Sequence, residues 1–77
     1  MGMKIDWQRG SAFNFGYIEG TDYRAERMRG IDDRYGFLLS DSKKTYLFVS
    51  GCIYNTPEER DTAIKREVRN RELANNS

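Results

Sequence analysis

Residues 45–68 read TYLFVSGCIYNTPEERDTAIKREV, and the fold turns on how this stretch divides. From Thr45 to Tyr54 it carries no charged residue and is rich in β-branched and aromatic side chains, the signature of a strand. The lack of charge predicts a central strand covered on both faces or nearly so. Gly51 marks a bulge or the end of regular pairing. Then the pattern changes. Thr56 can cap, Pro57 falls at the first helical position, and Glu59 follows three residues after the cap. That is a capping box with a preset φ, so a helix starts at Thr56. Glu58, Glu59 and Asp61 lie near its positive end, and Lys65, Arg66, Arg69 and Arg71 towards the other, which suits the helix dipole. Asp61 with Lys65, and Glu67 with Arg71, are spaced for i,i+4 pairs. The apolar stripe is narrow: Ile64 and Val68, flanked by Ala63, with Leu73 on the opposite side. The spacing therefore predicts a helix that packs by its first three turns and frays after Asn70.

Upstream, Tyr35 to Ser40 and Thr45 to Tyr54 read as a hairpin joined by the polar loop Asp41-Ser42-Lys43-Lys44, with Asp in the favoured opening position of a turn. Gly30-Ile31-Asp32-Asp33 breaks the preceding segment. Tyr23 to Arg29 reads as a charged strand, although Arg24 to Arg29 are also good helix formers and leave that alternative open. Gly20-Thr21-Asp22 is a turn. Phe13 to Glu19 is a strand with Phe13, Phe15 and Tyr17 on one face. Arg9-Gly10-Ser11 is a turn, and Lys4 to Gln8 a short first strand holding Ile5 and Trp7. The expected class is α+β: a meander-like antiparallel sheet of four to five short strands, with one C-terminal helix packed on one face. Residues 3–70 are expected to form a single compact domain, followed by a flexible tail at 71–77.

Composition narrows the function. A chain of 77 residues is one domain. At this size only about 60% of the unfolded chain's surface is buried, and small domains often add a staple. Cys52 is the one cysteine, so no internal disulfide forms. There is no histidine, and one thiol cannot build a tetrahedral zinc site. Either the core suffices alone, or self-association as a homodimer completes it, and the small size of the domain favours the homodimer. No signal-like apolar segment opens the sequence, and no apolar run approaches the roughly 18 residues of a membrane helix. A reducing cytoplasm, with no membrane contact, is the expected setting.

Thirteen basic and twelve acidic residues give a net charge of +1. That is too little acid for a polyanion mimic. It also lacks the basic excess common among nucleic-acid binders, although a local patch can suffice. Catalytic signatures are missing: no histidine base, no phosphate-cradling glycine loop, no nucleophile elbow. Asp32 and Asp33, with Asp41 near them in sequence, read as solvated turn residues rather than a cation site. Cys52 reads as a small buried hydrophobe. No enzyme, cofactor or metal is expected.

Three surfaces are candidates for binding. The first is aromatic. If alternation holds through Thr45–Tyr54, Leu47, Val49 and Ile53 share one face and Tyr46, Phe48 and Tyr54 the other. The helix is expected on the aliphatic face. Tyr46 and Phe48, with Tyr35 and Phe37 or Phe13 and Phe15, then need another cover. Either the sheet curls over them, or they form a platform for a protein partner or for stacked bases. The second is Arg24, Arg27, Arg29 and Arg34, which read as a solvated edge strand or as a contact for phosphate or carboxylate. The third is Lys65, Arg66 and Arg69 on the helix flank, either a wet face or a contact for an acidic partner.

From Lys43 to Val68, a strand ending in Tyr54-Asn55-Thr56-Pro57-Glu58-Glu59 runs into a helix. This stretch resembles the last strand and helix of AP2-type and phage-integrase arm-binding domains, which read DNA with a three-stranded sheet. The resemblance covers about a third of the chain and implies Arg24, Arg27 and Tyr35 on the reading face. The alanine-rich helix of those domains is missing here, and the near-neutral charge departs from them. The leading expectation is therefore a small regulatory protein that occludes a protein partner, inhibitor-like and of the kind phages and mobile elements encode. The alternative is a sheet-based DNA- or RNA-binding module using the arginine-rich strand and the aromatics.

Overall fold

A computed structural model of the chain describes residues 3–8, 15–43 and 45–75. Five strands form one antiparallel meander: β1 Ile5–Trp7, β2 Phe15–Ile18, β3 Arg24–Arg29, β4 Tyr35–Ser40 and β5 Tyr46–Val49, in that spatial order. A single helix, α1 Pro57–Asn75, packs across one face. This is the expected α+β architecture. The segment over Arg24–Arg29 is a strand, which closes the helical alternative. Phe13 and the turn at Arg9–Ser11 lie outside the described residues.

Pairing partners fix which residues share a face. Gly16 opposes Trp7 and Ala25, Ala25 opposes Leu39, and Arg27 opposes Phe37. These residues look towards α1. The core is Ile18, Ala25, Phe37, Leu39, Ile64 and Val68, all essentially inaccessible, with Ile5, Trp7, Tyr23, Tyr54 and Ala63 packed around it. Ile64 and Val68 are thus the helix residues that dock, as their spacing predicts. Burying each contributes about 1.5–3 kcal/mol relative to exposure. Small residues at the centre of the sheet bring the layers close. At Gly16 a Cβ would lie 2.8 Å from Trp7 Cε3 and 2.9 Å from Ile5 Cγ2, because the Trp7 ring lies across that backbone.

The cap on α1 forms as expected. The Glu59 amide donates to Thr56 Oγ1 at 3.1 Å, and the Thr56 hydroxyl donates to Glu59 Oε2 at 3.4 Å. Two expectations along the helix change. It does not stop at Asn70 but continues to Asn75. Arg71 holds the extra turn: its Nε donates to Glu67 Oε2 at 2.9 Å and its Nη2 to the Leu47 carbonyl at 3.0 Å, tying the helix to β5. And Asp61 turns to Arg60 rather than to Lys65, with Nη2 to Oδ1 at 2.9 Å.

The uncharged segment Thr45–Tyr54 is not a central strand. Its regular part is β5 at the edge of the sheet, and Val49 and Ile53, expected under the helix, are exposed. Past Val49 the chain leaves the ladder and returns at Tyr54, which bridges to Tyr35. Ser50 makes the exit. Its hydroxyl accepts from the Phe37 amide at 2.8 Å and donates to the Gly51 carbonyl at 3.0 Å, in a buried position. Ser50→Ala leaves the Phe37 N–H unpaired, so a loss of about 1–3 kcal/mol is expected in urea unfolding. A loss below a few tenths of a kcal/mol would show that water replaces the hydroxyl.

Candidate functional site

The face of the sheet opposite α1 has no covering element among the described residues. Phe15 and Tyr17 of β2, Arg24, Glu26 and Met28 of β3, Leu38 of β4, and Tyr46 and Val49 of β5 occupy it. Tyr17 is 44% exposed, Val49 54% and Tyr46 72%. The Phe15 and Tyr17 rings meet edge to face at 5.5 Å, and Arg24 lies over Phe15 at 5.9 Å. A shallow depression of about 220 Å³ runs between Phe15, Arg24, Glu26, Leu38, Ser40 and Tyr46. Within the strands this face carries Arg24 against Asp6 and Glu26, so it is not basic.

Tyr46 and Phe48 part company here. The register shifts between Leu39 and Ser40: Leu39 pairs with Phe48, but Ser40 pairs with Tyr46. Leu47 is the extra residue of a bulge, and a bulge breaks the period of two. Tyr46 therefore sits on the open face. Phe48 turns to the helix side, where its ring lies 5.6 Å from Phe37. Phe37 is core and Tyr35 is on the helix side, so neither belongs to an aromatic platform with Tyr46. The platform is smaller than expected and centred on Phe15, Tyr17 and Tyr46.

The arginines divide as well. Arg24 is on the open face, whereas Arg27 and Arg29, at odd spacing from it, face the helix side. Arg27 lies over the Trp7 ring at 5.0 Å, and Arg29 over Tyr35 at 5.4 Å. Arg60, from the first turn of α1, joins them at 4.7 Å from Trp7 and 5.9 Å from Tyr35. Each such cation–ring contact contributes about 0.5–2 kcal/mol, more as water is excluded. Arg60 is only 5% exposed. Its Nε and Nη2 donate to Asp61 Oδ1 at 3.0 and 2.9 Å, while Trp7 Nε1 donates to Asp61 Oδ2 at 3.4 Å. Sequence reasoning does not single out Arg60. The signal was its place four residues before Ile64 on the docking stripe.

Arg34 stands apart at the β3–β4 turn, paired with Asp32 at 3.5 Å; Arg29 pairs with Asp33 at 3.2 Å. Both pairs are exposed and contribute little. Asp33 adopts a left-handed φ of 62°, which Asp tolerates in turns. Asp32 and Asp33 thus serve the turn, and no three potential metal-ligating side chains cluster among the described residues. Arg66 and Arg69 are exposed on the outer side of α1 and Lys65 is half-buried on its flank. They join neither the open face nor the Arg27–Arg60 group. The DNA-reading face implied by the AP2-type resemblance does not assemble, since Arg24 lies on one side of the sheet and Arg27 and Tyr35 on the other.

Comparison of the chain with protein-family models, with curated proteins and with solved structures finds no match. The geometry itself defines the class: a small α+β domain with one helix-covered sheet face and one open face. No helix among the described residues is long and apolar enough to cross a membrane.

Proposed function

We propose that this is a small, non-enzymatic regulatory protein that occludes a protein partner in the cytoplasm, docking it on the open face of the sheet. The observation that carries this reading is the exposure of Tyr17, Tyr46 and Val49 on a face that no element covers among the described residues. Tyrosine is favoured in protein interfaces because it offers large contact area with few rotatable bonds. The charge on the face supports the same reading. One arginine against two carboxylates suits mixed protein surfaces and repels a phosphate backbone.

Capture from native lysate tests it. Tagged protein is expected to retain a discrete protein that the Tyr17→Glu/Tyr46→Glu double variant releases, with the thermal midpoint unchanged. Loss of two aromatic anchors is expected to weaken binding by at least about 2 kcal/mol, roughly thirtyfold. Binding to a generic DNA duplex that falls steeply with salt, and that the double variant retains, would sink the proposal. A concentration-dependent homodimer in light scattering, dissociated by the same double variant, would instead assign the face to a second copy of the chain.

A further inference from the structure

We infer that the cleft between the start of α1 and the adjoining ends of β3 and β4 binds a phosphate monoester. The cleft, about 460 Å³, is lined by Arg27, Met28, Arg29, Tyr35, Pro57 and Arg60. Three arginines thus line one space, and no carboxylate is among the lining residues, although Arg29 pairs with Asp33 and Arg60 with Asp61 outside the lining. It lies on the helix side of the sheet, so the inference is independent of the partner-docking face.

Each arginine is differently placed to act. Arg60 is held rigidly: it is buried, lies near two rings, and is bonded through Nε and Nη2 to Asp61. Arg27 is held over Trp7 and has no carboxylate within ion-pair distance among the described residues. Arg29 is paired with Asp33 only through an exposed contact, with side chains 63% and 84% accessible. Such a pair exchanges readily for a stronger anion. The positive end of the α1 dipole adds to the same field.

The number of donors selects the ligand. One arginine fork satisfies both oxygens of a carboxylate. The forks of Arg27 and Arg29, with the donors that Arg60 retains beyond its two bonds to Asp61, exceed that, whereas a phosphate monoester presents three terminal oxygens and close to two charges near neutral pH. A phosphodiester carries a single charge and two free oxygens, so a nucleic-acid backbone fits less well. Tyr35, also a lining residue, lies under Arg29 at 5.4 Å and holds that side chain at the cleft.

NMR titration tests the inference. Inorganic phosphate and a nucleoside 5′-monophosphate are each expected to give saturable shifts confined to Arg27, Arg29, Tyr35 and the first turn of α1. Acetate is expected to bind at least about tenfold more weakly, because it cannot engage the third arginine. Arg27→Gln is expected to weaken phosphate binding about tenfold or more. Arg29→Gln, at an exposed position, provides the same readout if the Arg27 variant is poorly folded. Lys43→Gln, an equal charge change at the β4–β5 turn, is expected to leave binding unchanged. Linear or scattered shifts would overturn the inference, as would equal binding of acetate. So would tighter binding of an oligonucleotide that lacks a terminal phosphate, since the source would then be a phosphodiester.

Discussion

Arg60→Ala is expected to destabilise the fold by roughly 3 kcal/mol, a large fraction of what a domain of this size has in total. Arg60, Ile64 and Val68 fall at i, i+4 and i+8 on α1, and all three are buried. The first of them is charged. Its burial is tolerated because Asp61 accepts two of its hydrogen bonds and the Trp7 and Tyr35 rings lie near the guanidinium. Truncation removes that packing, strands the Asp61 carboxylate beside Trp7 and opens a gap at the helix start. Arg60→Lys is expected to recover less than half the loss, since an ammonium lacks the planar fork that both bonds and stacks. Arg60→Met keeps the stem and separates packing from charge. Urea unfolding followed by Trp7 fluorescence measures all three. A loss below about 1 kcal/mol for Arg60→Ala would mean that the cluster merely decorates the surface.

Phe37→Ala is expected to cost about 3–5 kcal/mol. Phe37 is 1% exposed at the centre of the core. Its ring stacks at 6.3 Å on Tyr54 and lies 5.6 Å from Phe48, and it shares the core with Ile64 and Val68. It thereby joins the helix, the edge strand β5 and the Tyr54 bridge. Its backbone also closes the Ser50 exit from the ladder. No neighbour is free to collapse into the gap without unpicking one of those contacts. A sharp drop in the urea midpoint is expected, with loss of fixed aromatic signals in near-ultraviolet circular dichroism. Phe37→Leu keeps most of the volume and is expected to cost less than about 1.5 kcal/mol. Equal losses from the two variants would mean that ring contacts, not volume, hold this part of the core.

The open sheet face and the arginine cleft differ in how far the sequence foretold them. Tyr46, a candidate from the sequence, is on the open face; Phe48, expected beside it, is not. The difference is one bulge residue, Leu47, whose insertion is decided by how β5 registers against β4. Arg24 and Arg27 would share a face if their segment were helical, at a spacing of three. As β3 they lie on opposite faces. The role of Arg60 was hidden because a charged residue on an apolar stripe reads as wet unless its partners are known. Trp7, one of the rings it meets, is distant in sequence, and its position depends on the bare backbone at Gly16.

The sequence by itself determined where α1 begins, that Ile64 and Val68 dock it, and that short strands joined by tight turns make an antiparallel meander. Those features rest on neighbours in the chain: a threonine hydroxyl three residues from the amide it accepts from, a proline with preset φ, polar turns between apolar runs. Only the tertiary structure decided that Thr45–Tyr54 supplies an edge rather than a centre, which aromatics remain open, and which arginines meet. Those outcomes depend on strand register and on which segments stack across the sheet. The energies involved are sums over residues far apart in the chain, and no local pattern carries them.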